Sequence, residues 1–115
     1  MESRLARVLR LLLKYGVQCD VSPDELAAYL ESPTYENNAV KPEEILNNEL
    51  LLLHEVAEIC FLKKMGHVIS RNIIINAYPD TYYAHLKAID VELAEAERQD
   101  KSDWIARRCE DLKTI

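Results

Sequence analysis

The chain has 115 residues, 49% of them hydrophobic and 30% charged, with a formal net charge of −6. That length holds one ordinary domain, 1–115, with its own core, and the apolar content excludes a disordered chain. The acidic balance argues against a protein that grips phosphate backbone, whose affinity rests on clustered Lys and Arg, so no nucleic-acid partner is expected.

Only two glycines and four prolines occur, too few for many short strands joined by tight turns, and the composition favours helix. Cys19, Cys60 and Cys109 are odd in number and form no CxxC pair. That pattern suits a reducing compartment and unpaired thiols better than a disulfide framework or a thiolate zinc site. The run VLRLLLKYG is too short and too interrupted by charge to span a bilayer, so a soluble, cytoplasmic protein with no membrane partner is expected.

In chain order, Leu5, Val8, Leu9, Leu12 and Leu13 recur at helical spacing and predict a first helix over 2–15, closed by Gly16. Arg4, Arg7, Arg10 and Lys14 fall at helical spacings on this segment and read as a solvated face. The stretch VSPDELAAYLE predicts a second helix, with Ser22 as N-cap and Pro23 at its first position. Residues 32–41, SPTYENNAVK, have no period and read as the longest and most mobile loop.

Pro42 followed by two glutamates opens a long third helix expected to run to Gly66. After it, Ser70 is placed to cap a short helix ending before Pro79, although three consecutive isoleucines also suit a strand. From Pro79 onward a second long helix is expected, with Tyr82, Leu86, Ile89, Leu93 and Ala96 on its buried face. Ser102 and Asp103 start a terminal helix carrying Trp104, Ile105, Cys109 and Leu112. The expected fold is all-α, a single bundle of five or six helices with two long antiparallel central helices.

The third helix carries the chemistry. At 100° per residue most of its apolar side chains cover slightly more than half the circumference, while Glu44, Asn47, His54, Glu55 and Glu58 share the other arc with Leu51, Leu62 and Met65. That mixture suits two readings. In one, Leu51, Leu62 and Met65 meet another copy of the chain, a homo-oligomer, with the polar residues at the rim. In the other, the arc lines a cleft where His54 and Glu58, four residues apart and stacked on one face, hold a divalent cation such as zinc, manganese or iron(II). His85 and Glu92 of the other long helix complete that metal set, and Glu55 stands beside it as a further ligand or base. His67 reads as a loop or helix-end residue, and Tyr82 and Tyr83 as packing residues with their hydroxyls at the rim.

Three families with helical acid or histidine–acid pairs bear a partial likeness. His54-Glu55 resembles a degenerate form of the adjacent His-Asp dyad of HD-type phosphohydrolases, but no histidine precedes it. Glu55-x-x-Glu58 with Glu92-x-x-Glu95 is similar to the paired acids with which all-α nucleotide pyrophosphohydrolases hold magnesium, at a longer separation. Asn48-Glu49 is similar to the start of a ribonuclease III catalytic helix, yet Val56 stands where its second acid belongs. The front end looks like the first two helices of a helix-turn-helix, without the basic recognition helix. No dinucleotide, P-loop, zincin or esterase motif is present. The leading expectation is therefore a self-associating interaction or structural module. The alternative is a metal-dependent hydrolase of a nucleotide or other phosphate ester, with His54, Glu55, Glu58, His85 and Glu92 around the ion.

Overall fold

A computed structural model describes residues 3–31 and 42–112. The expected 32–41 loop lies outside them. Helix α1 (Arg4–Leu13) starts at Ser3, whose hydroxyl accepts the Ala6 N–H at 3.1 Å, and the turn after it contains Gly16 at φ +75°. Only glycine adopts that left-handed conformation without steric cost. Helix α2 (Pro23–Leu30) begins with a capping box in which Ser22 and Glu25 accept one another's backbone N–H at 3.1 and 3.0 Å.

The single helix expected from Pro42 to Gly66 is two, α3 (Pro42–Leu46) and α4 (Glu49–Lys64). Asn48 breaks it. Its backbone is extended and its side-chain oxygen accepts the N–H groups of Leu50 and Leu51, each at 3.1 Å. An Asn side chain thereby replaces the carbonyls a continuous helix would have offered. Arg4 holds the break from α1, donating to the Leu46 carbonyl at 2.6 Å and to Asn47 at 2.9 Å.

The isoleucine run forms a single helical turn, α5 (Ile73–Asn76), followed by α6 (Asp80–Arg98) and α7 (Ser102–Leu112). The described residues thus form seven helices and no strand, against the five or six helices expected, and the Asn48 break accounts for the extra one. None of the helices is long and apolar enough to cross a membrane.

Helix α4 is the axis of the core. It packs against α1, α2, α3 and α6, and α7 packs on α6. Leu50, Leu52, Leu53, Val56, Ala57, Ile59, Cys60 and Leu62 are all buried, so apolar side chains cover α4 on nearly every side. Leu62 is 0% exposed, and Leu51 and Met65 are half-buried against the same core. The arc expected to meet another copy is therefore closed largely within the chain.

Helix α6 buries Ile89 and Ala96 of the face its periodicity suggests and half-buries Leu93, but the start of that face points outward. Tyr82 and Leu86 are exposed, as is Tyr83, whose ring meets that of Tyr82 edge-on at 6.2 Å. Thr81, Ala84, Ala88, Ile89, Val91, Glu92, Glu95 and Ala96 face inward. Small Ala84 and Ala88 let the backbones of α6 and α4 approach closely, which large apolar residues at those positions would prevent.

The cysteines also differ from expectation. Cys19, in the segment after α1, is joined to Cys60 of α4 in a disulfide with Cα atoms 5.8 Å apart, and Cys109 is a free, exposed thiol. Buried Val17 and Val21 flank Cys19 and seat its segment against the core. Forty-one residues of sequence separation hide this proximity from any reading of spacing.

Candidate metal centre

Four residues apart on α4, His54 and Glu58 lie one turn above the other on its face toward α6, and both are buried. His85 of α6 comes down on them. His54 Nε2 lies 2.5 Å from Glu58 Oε2, His85 Nδ1 lies 2.8 Å from the same oxygen, and the two nitrogens are 3.1 Å apart. Each residue thus offers one ligand atom to a common point. The His85 side chain is 35% exposed and forms the open edge of an otherwise buried cluster.

Hydrogen bonds alone fit this triangle poorly. An ionised Glu58 only accepts, so both nitrogens must donate to Oε2, and two N–H groups then face one another across the 3.1 Å edge. A cation within reach of all three is met by lone pairs from each. Donor atoms at right angles about a metal, with bonds of about 2.1 Å, lie about 3 Å apart, close to the 2.8 and 3.1 Å separations here and longer than the 2.5 Å one. Two imidazoles and one carboxylate on one side leave the opposite positions open.

Surrounding groups orient the three. Glu92, fully buried on α6, meets His54 Nδ1 through Oε1 at 2.7 Å, so Nδ1–H points to the carboxylate and Nε2 faces Glu58 and His85. Glu92 Oε2 accepts from the Trp104 indole N–H at 2.7 Å and from Arg108 Nε at 2.8 Å, both on α7. The other oxygen of Glu58 accepts from the Tyr29 hydroxyl of α2. Burial alone would lower the His54 pKa, but the charges and hydrogen bonds of Glu58 and Glu92 outweigh it and raise it. Burial likewise favours neutral Glu58, yet His54 and His85 hold its carboxyl well below the usual range. Half-buried Glu55 moves the other way, pushed up by burial and by the Glu58 charge.

Of the five residues singled out in the sequence, three converge: His54, Glu58 and His85. Glu92 stands behind His54, its oxygens occupied by His54, Trp104 and Arg108, and does not join the three converging atoms. Glu55 lies outside the converging group, coupled to it through charge. Glu95 does not pair with Glu92 as the pyrophosphohydrolase likeness implies. It accepts from Tyr15, Arg98 and Gln99 instead. His67 pairs with Asp80 at 2.8 Å, apart from the cluster.

Tyr29, Trp104 and Arg108 escaped the sequence reading. The available signal was weak: Trp104 and Arg108 are four apart on α7 and share a face, but nothing in their spacing points to a carboxylate on another helix. No known protein family, curated protein or solved structure matches the chain.

Proposed function

We propose that this protein is a mononuclear metalloprotein, holding one first-row divalent cation through His54 Nε2, Glu58 Oε2 and His85 Nδ1. The observation that carries this is the convergence of two imidazole nitrogens and one carboxylate oxygen within 3.1 Å of one another. It gains support from two further features. Glu92 presets the His54 tautomer, and Tyr29 occupies the far oxygen of Glu58. The antiparallel arrangement of α4 and α6 is part of the same reading, since His54 meets Glu92 while Glu58, one turn later, meets the earlier residue His85.

Three protein ligands with positions left open suit metal-assisted hydrolysis. An ion held by His54, Glu58 and His85 would supply Lewis acidity, lowering the pKa of a bound water and polarising a phosphoryl or carbonyl oxygen. The substrate class proposed is a nucleotide or other phosphate ester. Glu55, its carboxyl pushed up to about 8 by burial and the Glu58 charge, is the carboxylate left to take the water's proton once it has lost its own above that pH, because Glu92 is already saturated.

Metal-free protein titrated with Zn²⁺ or Co²⁺ is expected to bind one equivalent, more tightly as pH rises, because the ion displaces the proton that Glu58 and Glu92 hold on His54. His85→Ala, a change at the half-exposed ligand, is expected to weaken binding more than about 100-fold while helicity by circular dichroism is retained. Hydrolysis of p-nitrophenyl phosphate or a nucleoside triphosphate by the loaded protein, lost in Glu55→Gln with metal content unchanged, tests the reaction class. Wild-type protein that takes up no metal, with a melting temperature unmoved by EDTA, overturns the reading.

Self-association is a second reading, favoured by one observation. Ile75 of α5, Tyr78 in the turn after it, and Tyr82 and Leu86 of α6 are large and exposed. Sedimentation should then show a concentration-dependent oligomer that Tyr82→Glu dissociates; a strict monomer at high concentration sinks it.

A further inference from the structure

Glu92 is fully buried, and apart from His54 the groups it meets, Trp104 and Arg108, come from α7. Trp104 and Arg108 are four residues apart, so they project from one face and close on one carboxylate. Trp104 Nε1 and Arg108 Nε reach Oε2 at 2.7 and 2.8 Å, and Arg108 Nη2 reaches Oε1 at 3.1 Å, which leaves Oε1 directed at His54 Nδ1. Without these donors a carboxylate in this position is buried with His54 as its one partner, a costly arrangement that favours rotation or hydration. Helix α7 itself is lightly held. It folds back on α6 after a turn at Gln99–Lys101, closed by the Lys101 N–H on the Ala96 carbonyl at 2.9 Å, and its side chains up to residue 110 are half-buried or exposed.

We infer that α7 is a working part of the metal centre: Trp104 and Arg108 fix Glu92, Glu92 fixes the His54 tautomer, and metal affinity and docking of α7 are coupled through that chain. The inference rests on the metal reading above. Trp104, Arg108 and Glu92 are positioning residues, acting through His54 and not on the ion. Coupling of this kind is reciprocal, so bound metal must stabilise the docked helix by the factor by which docking strengthens metal binding.

The experiment uses the full chain and Zn²⁺ alone. Trp104→Phe keeps an aromatic ring and removes the indole donor, and Arg108→Gln removes the guanidinium. Each is expected to weaken Zn²⁺ binding about 10- to 100-fold and also to lower the metal-free melting temperature, because buried Glu92 loses a donor, whereas a purely structural role lowers the melting temperature and leaves the affinity unchanged. In unaltered protein, hydrogen exchange of the α7 amides is expected to slow when Zn²⁺ is added, a readout that needs no variant to fold. Wild type that binds Zn²⁺ while both variants bind equally well and α7 exchange is unmoved overturns the coupling and leaves the metal reading standing. Wild type that binds no Zn²⁺ overturns both.

Discussion

Reduction of the Cys19–Cys60 disulfide is expected to lower folding stability by about 4 kcal/mol and the melting temperature by roughly 15 °C. The magnitude follows from loop length. The bond closes a loop with a sequence separation of 41 residues, and opening it returns that conformational freedom to the unfolded chain. The loop contains α2 and ties the segment after α1 to the centre of α4. Cys60 is fully buried and Cys19 half-buried, so a reductant reaches the bond mainly after local opening. Denaturation with and without dithiothreitol, repeated on a Cys19→Ala/Cys60→Ala double variant, measures the effect. Equal midpoints in oxidised and reduced protein would show that the cross-link contributes nothing.

Glu95→Gln is expected to cost about 3 kcal/mol at neutral pH and to remove part of the protein's acid sensitivity. The Glu95 carboxylate is fully buried and accepts from Tyr15 Oη at 2.6 Å, from Arg98 at 2.7 and 2.6 Å, and from Gln99 at 2.7 Å. The Arg98 guanidinium, with Tyr15 and Gln99, outweighs burial and holds its pKa at about 2, against 4.5 for the ordinary group. Burial, with the Glu95 hydrogen bond and charge, pushes the Tyr15 hydroxyl up to about 12. A depressed carboxyl contributes stability that is present above about pH 4.5 and is lost as pH falls toward 2. Glu25, Glu58 and Glu92 are also lowered and add their own acid dependence. The measurement is therefore the difference between wild type and variant, followed by urea denaturation from pH 7 to pH 2. The two curves should converge as the solution is acidified. Parallel curves would mean that Glu95 is not the ionised hub of this cluster.

Both predictions concern contacts between distant segments, and both were invisible in the sequence. Cys19 and Cys60 read as unrelated thiols because spacing along a chain carries no distance in space. Glu95 read as half of an acidic pair with Glu92 because three residues on a helix share a face. Its partners come instead from the turn after α1 and from the end of its own helix. Periodicity placed Ile89 and Ala96 of α6 correctly but misjudged its first half. It ranks positions by hydropathy and so favoured Tyr82 and Leu86, whereas close packing on α4 rewards Ala84 and Ala88.

What the sequence determined by itself lies within about four residues. The helical class, the Ser22 capping box, the glycine that ends α1, the start of α7 at Ser102 and the stacking of His54 over Glu58 all follow from local hydrogen bonds and the 3.6-residue turn. Tertiary structure decided the rest. It split the long helix at Asn48, brought His85 across from α6, placed Glu92 behind His54, and recruited Tyr29, Trp104 and Arg108 from α2 and α7. The physical reason is common to all of these. A buried polar atom must find its partner wherever packing brings one within about 3 Å, and the rotation and crossing of helices that set this distance depend on side-chain volumes throughout the core.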